Sequence, residues 1–222
     1  MTVGDPYTRP LADSAALVLI DMQRDFLDIP GDITGQKAPM PVEGTRAAIC
    51  AMVHLAKAFR ERGLPIVHVV RLYRPDGCNV DLARRRLIEQ GARIAAPGSA
   101  GSQIAVELLP NVVELDHGLL LSGGLQQLGA AEHVMYKPRW GAFYGTELER
   151  HLRGSGSSTL VFAGCNFPNC PRTSIYEASE RDFRIVLVSD AVSGLYDRGV
   201  EECRAIGVDV RDLSQTLDWL AG

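Results

Sequence analysis

Ala16-Leu-Val-Leu-Ile is an unbroken apolar run that ends on a carboxylate, Asp21. A strand with one wet face alternates apolar and polar residues, so a run without alternation has to be covered on both faces. This requirement limits the folds open to the chain more than any other feature. A sheet buried on both faces is a parallel sheet with helices above and below it. The pattern recurs in Pro65-Ile-Val-His-Val-Val-Arg71, in a short run near Val134 leading into Tyr136-Lys137, and in Thr159-Leu-Val-Phe-Ala-Gly164. Arg184-Ile-Val-Leu-Val-Ser-Asp190 and Gly207-Val-Asp-Val-Arg211 complete the set. Between the first two runs, Ile49, Met52, Val53, Ala56 and Phe59 fall at helical spacing and predict an amphipathic helix over 41–62, stopped by Gly63. A further helix is predicted after Cys170. The reading is an α/β fold of three α-β-α layers around a mostly parallel, Rossmann-like sheet of about six strands.

With 222 residues, 46% of them hydrophobic, the chain is long enough to bury about 70% of its unfolded surface as one domain, 1–222. The stretch 72–132 is too long for a plain loop and predicts an insertion or lid. It holds Arg84-Arg-Arg86, read as a solvated helix face or an oligomer contact, and a Gly98-Ser-Ala-Gly101 loop that lacks the Lys-Ser/Thr of a phosphate cradle. A net charge of −4 argues against a nucleic-acid partner or an anionic membrane. The opening Met1-Thr-Val-Gly-Asp-Pro has no basic and apolar secretory regions, and no apolar run reaches the ~18–20 residues that span a bilayer. Five scattered cysteines without CxxC spacing fit free thiols in a reducing cytoplasm. The expectation is therefore a cytoplasmic protein acting on a small molecule.

In open parallel sheets, ligands bind beyond the carboxyl ends of the strands, which directs attention to the polar residues there. Asp21 ends the first strand, Lys137 follows the third, and Cys170 lies just past the fourth. Pro171 after Cys170 predicts that the cysteine starts a helix, where the helix dipole lowers a thiol pKa and favours a nucleophilic thiolate. Its alternative is that of most cysteines, a small buried apolar residue; that reading is kept for Cys50 and Cys203. Asp21 caps a turn or, beside a cysteine, accepts its proton. Lys137 is a solvated cation or holds that carboxylate and stabilises charge at the reacting centre. Trp140, Phe143 and Tyr144 either stack on a flat amide or pack in the core. Arg71, Arg74 and Arg172 either meet a substrate carboxylate or lie solvated.

Three segments in this order resemble the isochorismatase-like cysteine hydrolases. They are Leu17-Val-Leu-Ile-Asp-Met-Gln-Arg-Asp-Phe26, Lys137-Pro-Arg-Trp-Gly-Ala-Phe-Tyr-Gly-Thr146 and Ala163-Gly-Cys-Asn-Phe-Pro-Asn-Cys-Pro-Arg-Thr173. The resemblance spans Leu17 to about Val210. It implies an Asp21, Lys137, Cys170 triad that attacks a carboxamide or ureido carbonyl and passes through a thioester. It also implies a non-proline cis peptide at Cys165–Asn166, which aims the N–H of Asn166, with that of Cys170, at the oxyanion. Gln23, Arg24 and Asp25 then have structural roles around Asp21. The family's usual threonine is replaced by Phe167, which joins Trp140, Phe143, Tyr144, Arg71 and Arg172 as a candidate substrate contact. Nicotinamidases of this family carry metal-binding histidines after the second strand; here Arg71-Leu-Tyr-Arg-Pro-Asp-Gly-Cys-Asn79 has none, so neither metal nor cofactor is expected. The resemblance also implies a homodimer or homotetramer. The leading expectation is a metal-independent amidohydrolase of small amide, ureido or N-carbamoyl compounds. The alternatives are an isochorismatase-type vinyl-ether hydrolase and a non-catalytic or redox thiol module with Cys165 and Cys170 as its pair.

Overall fold

The computed structural model of the protein describes residues 5–27 and 39–222; Met1 to Gly4, part of the opening read for a secretory signal, lie outside them. The described residues form a single sheet from β1 (Ala15–Ile20), β2 (Ile66–Val70), β3 (Leu125–Gly129), β4 (Glu132–Tyr136), β5 (Thr159–Gly164), β6 (Arg184–Val192) and β7 (Asp209–Arg211). The strand order is β3-β4-β2-β1-β5-β6-β7. The helices are α1 (Thr45–Glu61), α2 (Leu82–Glu89), α3 (His117–Leu121), α4 (Leu148–Gly154), α5 (Cys170–Ser179), α6 (Asp197–Ala205) and α7 (Leu213–Ala221). No helix among the described residues is long and apolar enough to cross a membrane.

The sheet is mostly parallel, as expected, but has one strand more than the sequence suggested. β3, Leu-Gln-Gln-Leu-Gly, has no apolar run because it sits at the sheet edge, is partly exposed, and pairs antiparallel with β4 alone. The other pairings are parallel.

β1 lies in the middle, with Leu17 in register with Ile66 on one side and Val161 on the other. Its side chains alternate between two cores, which explains why the run never alternates in polarity. Ala15, Leu17 and Leu19 join Met52, Leu55 and Phe59 of α1 and Leu220 of α7. Ala16, Val18 and Ile20 join Leu148 and Leu152 of α4, Ile175 and Ala178 of α5 and Cys203 of α6.

The segment 72–132 contains α2, α3, β3 and the 3-10 turns Ala100–Ser102 and Val106–Leu108. It is docked onto the residues that follow β1. The Asp25 carboxylate accepts the Ala95 N–H at 2.7 Å. A Cβ at Gly101 would come within 1.8 Å of the same carboxylate, so only glycine lets the loop approach.

Four elements are also tied by a buried ionic knot. Glu132 on β4 accepts from both Arg60 Nε and Arg60 Nη2 of α1 at 2.7 Å, and lies 2.7 Å from His68 Nε2 of β2. Arg60 also donates to the Leu108 carbonyl at 2.5 Å. Burial alone would push the Glu132 carboxyl up, but Arg60 and His68 outweigh it and hold it at about 2, from an ordinary 4.5. A depressed folded-state pKa adds stability that is present above the unfolded value and is lost as pH falls through the folded one. Chemical denaturation of the wild type is therefore expected to lose up to about 3 kcal/mol more than Glu132→Gln between pH 4.5 and 2. Parallel curves for the two proteins would refute this role.

Candidate active site

Asp21, Arg71, Lys137 and Cys165 are each the first residue after a parallel strand, namely β1, β2, β4 and β5. The four chain exits lie along one edge of the sheet. After β4 the chain crosses from one side of β1 to β5 on the other, so the strand order reverses between β1 and β5. Such a switch point opens a crevice at the carboxyl edge, where ligands bind.

Local backbone features bring the exits together. Asp21 sits in the left-handed region at φ 54, which aspartate tolerates better than most residues. It is held there by its N–H to the Val69 carbonyl at 2.8 Å, and its carbonyl accepts from the Gln23 N–H at 2.8 Å. Gly164 has φ +131, and a Cβ there would lie 2.3 Å from the Ile20 carbonyl oxygen, so a side chain would force β5 away from β1. The buried Gln23 side chain clamps the neighbouring exits. Its Nε2 donates to the carbonyls of Arg71 at 2.8 Å and Ser102 at 2.7 Å, and its Oε1 accepts the Arg71 N–H at 2.7 Å.

Lys137 is fully buried, and its Nζ lies 2.9 Å from Asp21 Oδ2. The other oxygen, Asp21 Oδ1, is buried and accepts no hydrogen bond among the described residues. The Cys170 thiol faces this carboxylate from the first turn of α5, with Pro171 beside it as expected. Its acidity differs from the sequence expectation. Burial, followed by the Asp21 charge, pushes the thiol up to about 12, against the opposing pull of Lys137. Cys170 therefore rests as a thiol poised beside a base, rather than as a preformed thiolate.

The Cys165–Asn166 peptide is cis. The N–H groups of Asn166 and Cys170 take no backbone acceptor among the described residues, whereas Phe167 N–H between them is spent on the Ser193 carbonyl at 2.8 Å. This leaves a carboxylate, an ammonium, a thiol and two free donors around one spot. The set suits nucleophilic acyl transfer, which needs a nucleophile, a base and an oxyanion site.

Asp21, Cys165, Asn166, Asn169 and Cys170 form one wall of a cavity of about 470 Å³ including its mouth. Arg71, Tyr73, Arg84 and Trp140 line it as well, with Phe26, Met40 and Val42 as an apolar side. Of the candidate substrate contacts, Arg71 and Trp140 reach the cavity. Phe143, Tyr144, Phe167 and Arg172 are not among its lining residues. Phe167 is buried against Tyr196, ring centroids 5.6 Å apart, and Phe143 packs on Phe183 at 5.9 Å. Tyr144 is exposed, and Arg172 donates to the Tyr196 hydroxyl at 2.8 Å. Sequence reading missed Tyr73 and Arg84. Tyr73 lies two residues after Arg71, three past the end of β2, a signal that was available; Arg84 arrives from α2, and no local pattern announces it. Among the described residues no three His, Cys, Asp or Glu side chains group as a metal ion requires, so the residues after β2 do not fit a metal site.

Comparison with known proteins agrees with this fold. The isochorismatase domain family profile matches residues 15–212. A solved isochorismatase family protein from Desulfovibrio vulgaris superposes with a TM-score of 0.77 at 31% identity, covering 94% of this chain and 99% of that one. An Arabidopsis thaliana protein named "Probable inactive nicotinamidase" is 26% identical over 94% of this chain and 97% of its own length. A ureidoacrylate amidohydrolase from Azorhizobium caulinodans is 26% identical over 81% of this chain and 76% of its own.

Proposed function

The chain belongs to the isochorismatase family, and from that premise we propose that it is a metal-independent cysteine amidohydrolase of small amide, ureido or N-carbamoyl compounds. It is a hydrolase of amide C–N bonds, like its amidohydrolase relatives, and takes a small-molecule substrate. The observation that supports the finer reading is that Cys170 and an Asp21 carboxylate already paired to buried Lys137 line one wall of the same cavity.

The reaction follows from these groups. As Cys170 Sγ attacks the substrate carbonyl carbon, its proton passes to Asp21 Oδ1 and a C–S bond forms. The carbonyl π pair moves onto oxygen, where the N–H groups of Asn166 and Cys170 meet the negative charge. When the tetrahedral intermediate collapses, the C–N bond breaks, Asp21 returns its proton to the leaving nitrogen, and ammonia or an amine departs. Asp21 then takes a proton from water, the hydroxide attacks the thioester carbon, and as the C–S bond breaks Asp21 returns that proton to the departing sulfur, which regenerates both the thiol and the carboxylate. Lys137 remains charged throughout and keeps the carboxylate oriented.

A vinyl-ether hydrolase or a bare thiol module has no use for all three side chains together. A cytoplasmic location and a dimer or tetramer complete the proposal. The test is a coupled ammonia assay over primary amides, ureido acids and N-carbamoyl amino acids. At least one class should release ammonia with the wild type and none with Cys170→Ala. Release that is equal in both proteins would overturn the reading.

A further inference from the structure

We infer that Ser174 and Glu177 are positioning residues: from α5 they hold the loop 137–147 in register with Cys170, which starts the same helix. The inference rests on the reading of Cys170 as a nucleophile served by Asp21 and Lys137.

The loop 137–147 joins β4 to α4 and contains neither helix nor strand. It nevertheless carries Lys137 at its start and Trp140 in the cavity wall. Its N–H groups have no ladder to enter, so the buried ones need acceptors from elsewhere. α5 supplies them. Residues 170, 174 and 177 follow steps of four and three, which place them on one side of a helix. Ser174 is fully buried; its Oγ donates to the Cys170 carbonyl at 2.7 Å and accepts the Ala142 N–H at 3.0 Å. One hydroxyl thus joins the backbone of the nucleophile to the loop. One turn on, Glu177 Oε2 accepts the Phe143 N–H at 2.9 Å.

The loop is shaped for these contacts. A Cβ at Gly141 would lie 2.2 Å from the Glu177 carboxylate and displace it, so glycine leaves the room that the contact needs. Ala142 and Phe143 belong to the same core as Ile175 and Ala178 of α5, and Arg181 lies over the Phe143 ring, 5.1 Å from its centroid. Thr146 Oγ1 donates to the Ala142 carbonyl at 2.6 Å and closes the turn. At the other end, the Lys137 ammonium is set between Asp21 Oδ2 at 2.9 Å and the Arg139 carbonyl at 3.4 Å. A shift of the loop therefore moves an acceptor of that ammonium as well as Trp140. Glu177 lies in the last turn of α5, where the helix dipole disfavours a carboxylate. Its contact with the loop, rather than helix stability, accounts for its place.

Two readouts test this: kcat for ammonia release, and the pH profile of Cys170 alkylation by iodoacetamide, followed peptide by peptide by mass spectrometry. Ser174→Ala and Glu177→Met are expected to lower kcat roughly 10- to 100-fold, the effect of misplacing reacting groups by about 1 Å. Glu177→Gln still offers an acceptor to the Phe143 N–H and should recover most of that loss. Lys137 favours the Cys170 thiolate, so a displaced loop should also slow Cys170 alkylation. The expected slowing is roughly 3- to 10-fold at about pH 8, with the alkaline limb moved up. A loosened fold does the opposite, since it exposes Cys170 together with the buried Cys165 and Cys203. A fall in kcat with an unchanged alkylation profile, faster labelling of all three cysteines, or a Glu177→Met as active as the wild type overturns the positioning role. The amidohydrolase reading then still stands. If Ser174→Ala does not fold, the two Glu177 variants decide alone. If the wild type releases ammonia from no amide, the alkylation profiles decide. Slower labelling in Glu177→Met that Glu177→Gln restores then supports the positioning role while the amidohydrolase reading falls, and identical profiles overturn the role.

Discussion

Cys170→Ala is expected to lose at least about 10⁴-fold in kcat for ammonia release while melting close to the wild type. Removing the nucleophile of a covalent hydrolase leaves only the contribution of binding and oxyanion donors. The fold should tolerate the change because alanine retains the Cβ at the start of α5, Pro171 still begins the helix, and the Asp21–Lys137 pair is untouched. Loss of a single Sγ at the wall of an open cavity costs little. Activity within tenfold of the wild type would mean that water attacks directly and that the cysteine is a bystander.

The second large effect separates catalysis from stability at the Asp21–Lys137 pair. Asp21→Asn leaves a fully buried ammonium without its counter-ion, and Lys137→Met leaves a buried carboxylate without its own. Each should cost about 3–5 kcal/mol of stability. Asp21→Asn should also lower kcat by roughly 10²–10⁴-fold, the usual contribution of a positioned general base. The double variant Asp21→Asn/Lys137→Met removes both charges and should recover most of the lost stability, because a buried pair can be replaced by uncharged residues at little net cost. It should stay inactive. Denaturant unfolding and ammonia assays on the four proteins give the cycle directly. A double variant that regains activity, or single variants as stable as the wild type, would dismiss the pair as a working unit.

Much of this was legible in the residues, and what was not has physical causes. The unalternating runs of β1, β5 and β6 announce a doubly covered parallel sheet because burial on both faces removes polar positions. β3 escaped because an edge strand with one neighbour can be Gln-rich. Asp21, Lys137 and Cys170 were findable because strand ends are short-range features. Their company was not, since Arg84 reaches the cavity from α2 and Phe167 turns into the core beside Tyr196. The protonation of Cys170 was misjudged for a related reason. A helix start can be read from Pro171, but the burial and the carboxylate that outweigh it come from β1 and from packing.

The covalent role of Cys170 is tested most directly by acid-quenching the wild type during turnover of an active amide and mapping its peptides by mass spectrometry. The substrate acyl group should be found on Cys170, and hydroxylamine should remove it as it does a thioester. An acyl group on another side chain, or continued ammonia release with Cys170 unmodified throughout, would contradict it.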